Sequence, residues 1–98
     1  MGFKDVRMLL IEALRSRQYG YEERADLAEK NLLAAKQVTP GFVIQLLWRC
    51  SGLEYESRKH HLYPHLLCHV FKPVLDGERW YVKAYFVSTR AIFISVHR

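Results

Sequence analysis

The segment GERWYVKAYF, residues 77–86, decides the fold because its side chains alternate between two chemical types. The even-numbered positions are apolar: Trp80, Val82, Ala84 and Phe86. The odd-numbered positions after the glycine are basic or aromatic: Arg79, Tyr81, Lys83 and Tyr85. A period of two predicts a β-strand whose apolar face rests on a core. The opposite face carries only arginine, lysine and tyrosine, which a core does not require.

The composition predicts one small globular domain spanning residues 1–98. Half of the residues are apolar, which is enough for a core, and the net charge is +5. Residues 1–48 hold seven Lys and Arg against six Asp and Glu, whereas residues 49–98 hold eight against four and all five histidines. This excess of positive charge predicts a polyanionic partner bound by the second half.

The chain shows no sequence feature of secretion or membrane insertion. Because it has no signal-peptide-like segment, we expect a cytoplasmic protein. Cys50 and Cys68 lie in apolar stretches without a CxxC motif, which fits a reducing compartment. No apolar run approaches the roughly 20 residues that span a bilayer, so we expect no contact with a membrane.

Three helices are predicted within residues 1–51. Apolar residues recur at helical spacing from Phe3 to Arg17, and a gradient from acidic to basic residues favours a second helix over residues 21–36. Thr39 is a typical N-cap residue and Pro40 suits the first helical position. The third helix is therefore expected to begin there and to end before Ser51.

Residues 53–98 predict a basic loop followed by an antiparallel sheet. The expected loop covers residues 53–65, and an Asp76–Gly77 pair signals a hairpin turn. The expected strands are residues 65–72, 79–87 and 91–97. The predicted fold class is α+β, with N-terminal helices packed on one face of a C-terminal three-stranded antiparallel sheet.

The register of the last hairpin follows from burial. If the even-numbered residues of both strands face the core, the connecting loop has an odd number of residues, as Ser88–Thr89–Arg90 does. The pairs expected on the outer face are Tyr81 with His97, Lys83 with Ser95, and Tyr85 with Phe93. Directly opposed side chains lie about 5 Å apart, so Tyr81, Lys83 and His97 should converge.

The register of the first hairpin stays undecided. A two-residue turn at Asp76–Gly77 would place alternate residues of the first strand on the polar face, namely Cys68, Val70 and Lys72. A shift of one residue would place His69 and Phe71 there instead, because successive side chains of a strand point to opposite faces.

Tyrosine, lysine and histidine on one basic face suit RNA cleavage without a metal. A histidine can take the proton of the ribose 2′-hydroxyl near neutral pH, and cations can stabilise the charge that develops on the phosphate. Aromatic rings can stack on unpaired bases. The predicted catalytic residues are Tyr81, Lys83, His97, His69 and Lys59. The residues predicted to hold RNA are Arg58, His60, His61, Lys72, Arg79, Tyr85 and Arg98.

Other interpretations of these residues stay open at the level of sequence. A strand face of tyrosine and lysine can simply be solvated. It can also bind nucleic acid without cutting it, or serve as a module that docks an acidic protein. Four histidines could be pictured as zinc ligands: His60, His61, His65 and His69. Their spacing matches no zinc motif and no cysteine pair supports them, so we expect no metal site.

Several residues of the second half match a known family in type and spacing. They are the helical segment VIQLL at 43–47, Tyr55 and Ser57, the run Val70-Phe71-Lys72-Pro73, Tyr81 with Lys83, and Ile94-Ser95-Val96. Through them the chain from about Phe42 to Arg98 resembles the MqsR-like toxins of bacterial type II toxin–antitoxin systems, which are small mRNA interferases with a RelE-like fold.

The resemblance implies an endoribonuclease that cleaves mRNA, on the ribosome or free of it, and thereby inhibits translation. It also implies an antitoxin protein as partner and no metal cofactor. The active tyrosine of the family and the lysine after it fall on Tyr81 and Lys83, and a lysine near the C-terminus falls closest to His97. Two positions depart from the family, where Glu56 replaces a lysine and Cys68 replaces a glutamine.

Overall fold

The computed structural model describes residues 2–23 and 25–98. Its helices are α1 (Phe3–Ser16), α2 (Leu27–Lys30), α3 (Pro40–Arg49) and a short 3-10 helix (Gly52–Glu54). Its strands are β1 (Tyr19–Tyr21), β2 (Tyr55–Lys59), β3 (Leu67–Phe71), β4 (Val74–Leu75), β5 (Glu78–Arg79), β6 (Tyr81–Val87) and β7 (Arg90–His97). Within these residues no helix has the length and hydrophobicity needed to cross a lipid bilayer.

The main sheet corrects the predicted fold class. It has five strands in the order β1-β7-β6-β3-β2, and β4 and β5 form a separate two-stranded ribbon. β1 runs parallel to β7, and the other neighbours are antiparallel. The expectation of a three-stranded antiparallel sheet is therefore wrong. Both added strands lie at the edges and lack an alternating apolar pattern, because β1 has only three residues and β2 is polar (YESRK).

Two of the predicted helices are confirmed. α1 buries one stripe at helical spacing, with Val6, Leu10 and Leu14 among its buried residues. α3 begins where expected, because the Thr39 hydroxyl accepts a hydrogen bond from the Phe42 N–H at 3.1 Å. These two helices pack against each other and against the sheet, which gives the domain its core.

The helix predicted over residues 21–36 is wrong apart from the single turn of α2. The backbone that follows α2 bonds to β7 instead, since the Leu32 N–H donates to the Val96 carbonyl at 2.8 Å. The buried Asn31 side chain donates to the Phe93 carbonyl at 3.1 Å. This segment and β1 together cover the outer edge of β7, and long-range hydrogen bonds of this kind leave no periodic signal in a sequence.

The sheet has two faces with different partners. The helix-side face packs on α1 and α3 and includes Val82, Ala84, Phe93 and Val96, all fully buried. The outer face carries the alternate residues of β6, namely Tyr81, Lys83 and Tyr85. The two-sided pattern of residues 79–86 therefore corresponds to two physically different surfaces.

A β-bulge changes the predicted pairing of β6 with β7. Tyr81 pairs with His97 and Lys83 with Ser95, as expected. Beyond Lys83 the register shifts by one residue, so Ala84 pairs with Phe93, and the extra residue of β7 is Ile94. Phe93 consequently enters the core and Tyr85 faces Ile92. The predicted three-residue loop is wrong, because the turn has only two residues, Ser88 and Thr89. The extra residue that the register needs is Ile94 in the bulge.

The first hairpin contains the β4–β5 ribbon. Asp76 and Gly77 form its turn with φ of 51° and 79°, the left-handed conformation that an Asp-Gly turn favours. Val70 pairs with Lys83, which resolves the open register. Cys68 and Val70 belong to the outer face, and His69 and Phe71 belong to the helix-side face.

Candidate functional site

The open end of the outer face contains a stacked pair of rings. The Tyr81 and His97 ring centroids lie 5.2 Å apart with an interplanar angle of 20°. The pair results directly from the β6–β7 register, and both side chains are partly exposed. A phenol and an imidazole are therefore presented side by side to solvent, away from α1 and α3.

The hydrogen bond of His97 determines which ring nitrogen is free. Its Nδ1 lies 2.9 Å from the backbone oxygen of Arg98. Since a backbone oxygen only accepts, Nδ1 carries the proton in this contact. In the neutral ring the Nε2 atom then holds a lone pair, so this nitrogen can accept a proton from a ligand.

Positive charge surrounds the stacked pair. Lys83 follows Tyr81 on the same face, and no described carboxylate lies within ion-pair distance of its ammonium group. Arg58 extends from β2 close enough to Tyr81 for the two to interact electrostatically. We call Tyr81, Lys83, His97 and Arg58 the Tyr81 cluster.

Glu56 introduces one negative charge beside this cluster. Its Oε1 accepts hydrogen bonds from the Arg58 guanidinium and lies 3.4 Å from Lys72 Nζ. The hydrogen bond from Arg58, followed by Lys72, lowers the pKa of Glu56 below its ordinary value. The carboxylate therefore stays ionised and competes with any anionic ligand for these two cations.

Arg79 and Arg98 lie outside the Tyr81 cluster, and both already have interaction partners. Arg79 donates to the Lys72 carbonyl at 2.7 Å, and its guanidinium is 3.7 Å from Glu54. The Arg98 guanidinium lies 4.9 Å from the Trp80 ring centroid and 3.4 Å from Glu78. Both are exposed, so each can contact a polyanion only in competition with its own carboxylate.

Two of the predicted catalytic residues lie on the other face of the sheet. His69 pairs with Ala84, and Lys59 pairs with Leu67, two residues from His69 on β3, so both side chains belong to the helix-side face. The structure therefore does not bring His69 or Lys59 together with Tyr81. The reason is the register of β3, which assigns the odd-numbered residues of that strand to the helix side.

His69, which is buried, instead forms a pair with the partly exposed Tyr55. The Tyr55 hydroxyl and His69 Nδ1 are 2.8 Å apart, and the two rings are nearly parallel with centroids 6.1 Å apart. Burial lowers the pKa of His69 and raises the pKa of Tyr55, so each favours its neutral form. Such a pair satisfies two polar groups beside the core, on the face opposite the Tyr81 cluster.

The other end of the outer face is covered. Tyr85, Cys68 and Ile94 form a small buried cluster there. Burial and a hydrogen bond to the Glu22 carboxylate raise the pKa of Tyr85 to about 12, so its hydroxyl remains protonated. Tyr85 is thus a packing residue with a satisfied polar tip, although the sequence grouped it with the exposed residues of β6.

His60 anchors the loop that covers this end. It is 1% exposed, and its Nε2 lies 2.8 Å from the Glu22 carboxylate. Its Nδ1 accepts from the backbone N–H groups of Leu62 and Tyr63 at 3.1 and 3.2 Å, so Nε2 is the protonated nitrogen and donates to Glu22. With every polar atom of its ring engaged, His60 cannot contact RNA as predicted while the loop keeps this conformation.

The remaining histidines do not form a metal centre. His61 stacks on His60 at the surface, whereas His69 lies across the sheet. Among residues 2–23 and 25–98, no three His, Cys, Asp or Glu side chains come close enough together to hold a metal ion.

Sequence reasoning missed Glu22 and Tyr63, which contact His60 from two directions. Glu22 follows β1, and the parallel pairing of β1 with β7 brings it to the loop. No local pattern marks Glu22, because it reaches His60 only through the order of strands in the sheet, whereas Tyr63 contacts His60 within the same loop.

Neither a scan against models of protein families nor a search of curated proteins finds a match to this chain. The resemblance to the MqsR-like toxins therefore stays a prediction.

Proposed function

We propose that the outer face binds RNA and cleaves it at the Tyr81 cluster without a metal ion. The observation that carries the proposal is the stacked Tyr81–His97 pair at 5.2 Å, set beside the partly exposed Lys83 at the open end of the outer face. A potential base, a potential acid and positive charge are the groups that cleavage through a ribose 2′-hydroxyl requires.

The proton transfers follow from the hydrogen bond of His97. Its Nε2 takes the proton of the 2′-hydroxyl as the 2′-oxygen attacks the phosphorus. The bond from phosphorus to the 5′-oxygen breaks, and the Tyr81 hydroxyl gives that oxygen a proton. The products are a 2′,3′-cyclic phosphate and a 5′-hydroxyl, and the adjacent imidazolium can return the proton to the phenolate.

Lys83 and Arg58 act on the phosphate. Negative charge grows on its non-bridging oxygens in the transition state, and fixed cations stabilise that charge more than the charge of the ground state. Because Arg58 is already bonded to Glu56, Lys83 is the cation that can respond without first breaking an ion pair.

The biological role that we propose is that of a toxin which cleaves mRNA in the cytoplasm, stops translation and is neutralised by an antitoxin. This part depends on the resemblance in residues 42–98 together with the basic character of that half. Binding of single-stranded message needs stacking rings and cations that hold the backbone, both of which the outer face presents.

A cleavage assay in EDTA tests the proposal. Purified protein is incubated with single-stranded RNA, and product ends are analysed for 2′,3′-cyclic phosphate. We expect cleavage by the wild type and a loss of at least about 100-fold in Tyr81→Phe and His97→Ala. The matched control is Tyr21→Phe, an exposed tyrosine on the helix-side face. Intact RNA with wild-type protein, or full activity of both variants, would contradict the proposal.

One observation favours a second candidate, which is RNA binding without cleavage. Glu56 occupies two cations near the cluster, and this reduces the positive potential available to a phosphorane. In that case RNA would be retarded in a gel yet stay intact, and its affinity would fall steeply with salt.

A further inference from the structure

The loop at residues 60–66 carries aromatic rings that the proposed chemistry does not use. Its buried residue His60 is fixed by Glu22 on one side and by two backbone N–H groups on the other. Two of these hydrogen bonds, from the Leu62 and Tyr63 N–H groups, fix the fold of the loop itself, and the bond to Glu22 ties the loop to the residue that follows β1. A surface segment anchored in this way presents its remaining side chains in a defined orientation.

His61 is the outermost ring of a short stack. Its centroid lies 5.1 Å from that of His60, and the rings are nearly parallel, with an interplanar angle of 8°. Tyr63 packs against His60 from another direction at 5.2 Å and is about half exposed. Among the described residues no second ring covers the outer side of His61. The loop thus leaves pre-oriented aromatic surface facing solvent.

The loop is joined to the same sheet face as the Tyr81 cluster. The His60 ring meets Tyr85 edge to face at 5.4 Å, and Tyr85 is four residues from Tyr81 along β6. Four residues of a strand span roughly 13 Å. A stacked nucleic-acid strand rises about 3.4 Å per nucleotide, so about four nucleotides would span the distance from Tyr81 to Tyr85, and the rings of the loop lie just beyond Tyr85.

We propose that His61 and Tyr63 form a nucleobase-binding subsite, at which unpaired RNA bases stack within a few nucleotides of the scissile phosphate. The position of that phosphate rests on the proposed function, whereas base stacking by the loop does not. Ring stacking tolerates any base, because every base has a π-face, and it adds affinity without adding a phosphate contact. The loop then contributes to the binding of single strands, and the basic residues hold the backbone.

Binding of an RNA that cannot be cleaved tests the base-stacking subsite separately from the proposed nuclease activity. The probe is a short 2′-O-methyl oligonucleotide with the fluorescent base 2-aminopurine at successive positions, measured at about pH 8, where histidine is ordinarily neutral. We expect quenching at one or two adjacent positions. His61→Ala and Tyr63→Ala should each lose that quenching and bind about 5- to 50-fold more weakly. His61→Phe should retain both properties, because it keeps a ring.

Two controls tie the result to stacking. Leu62→Ala removes an exposed apolar side chain of the same loop and should bind like the wild type. The dependence of affinity on salt should keep its slope in the His61 and Tyr63 variants, since neither contacts a phosphate, whereas Arg58→Ala should reduce the slope by about one.

The outcomes distinguish failure of the subsite from failure of the nuclease proposal. Wild-type affinity and intact quenching in both alanine variants would overturn the subsite, as would failure of the wild type to bind the probe. Quenching that depends on His61 in a protein that leaves ordinary RNA intact would support the subsite and refute the nuclease.

Discussion

The two sheet faces each carry one pair of a tyrosine with a histidine, and the contrast between the pairs explains why only one is assigned chemistry. Tyr55 and His69 on the helix-side face are joined by a 2.8 Å hydrogen bond, and His69 is buried. Tyr81 and His97 on the outer face stack at 5.2 Å, and both are partly exposed. Residue type is the same in both pairs. Accessibility and the surrounding cations differ, and these decide what each pair can do.

The largest expected effect concerns RNA cleavage. Tyr81→Phe and His97→Ala should each lower the cleavage rate at least about 100-fold, because each removes a proton-transfer group. The equivalent changes in the helix-side pair, Tyr55→Phe and His69→Gln, should leave the rate per folded molecule within about threefold, since His69 does not face the outer surface. Rates are measured under single-turnover conditions, with the folded fraction determined for each variant. A greater loss from the helix-side pair would reverse the assignment.

The effects of substitution on the free energy of unfolding should have the reverse order, with the larger loss at the Tyr55–His69 pair. Tyr55→Phe leaves the Nδ1 atom of His69 without its partner in a nearly buried site, which costs about 1–3 kcal/mol of unfolding free energy. Tyr81→Phe removes an exposed hydroxyl and should change that free energy by less than about 0.5 kcal/mol. Urea unfolding of the two variants measures both values. Equal destabilisation by Tyr55→Phe and Tyr81→Phe would contradict the assignment of a structural role to the first pair alone.

A smaller effect is expected at the negative charge of the outer face. Glu56→Gln frees Arg58 and Lys72, so the affinity for RNA should rise about threefold to tenfold at low salt and return towards the wild-type value at high salt. Glu12→Gln on α1 is the matched control, because Glu12 is also exposed and also paired with an arginine. Fluorescence anisotropy measures the affinity, and an unchanged value would remove Glu56 from the binding surface.

The smallest effect is the pH dependence of stability that arises from His69. Burial lowers its pKa, so the unfolded chain binds a proton more readily than the folded one. His69 therefore favours the folded state above the ordinary pKa of 6.5, and that stability is lost as the pH falls through the lowered value. His69→Phe should flatten this part of the pH–stability curve, as measured by urea unfolding at a series of pH values. An identical curve in His69→Phe would assign the dependence to another group.

The parts of the fold that a local pattern encodes were predictable. The stripe of α1, the Thr39–Pro40 start of α3 and the alternation of β6 each depend on a few neighbouring residues, and the structure confirms them. β1 and the segment at Asn31 were not predictable, since their backbone groups pair with β7 more than sixty residues away. Propensity arguments cannot reveal such partners.

The candidate site was partly predictable for the same reason. Tyr81, Lys83 and His97 share a face because Tyr81 pairs with His97 and Lys83 with Ser95. Both pairs could be predicted from the burial of the even-numbered residues. The bulge at Ile94 was not foreseen, because apolar residues occupy positions 91–94 without a break and burial alone could not assign their faces. The positions of His60 and His69 depend on the pairing of β2 with β3. This pairing could not be predicted, because the sequence of β2 is polar and shows no strand pattern.

Chemical rescue is the most direct test of the claim that the exposed pair performs the chemistry. His97→Gly and His69→Gly are compared in RNA cleavage with EDTA, with and without added imidazole. The account predicts that His97→Gly is inactive and regains activity as imidazole rises, while His69→Gly is less stable yet active and indifferent to imidazole. Rescue of His69→Gly, or full activity of His97→Gly without imidazole, would contradict it.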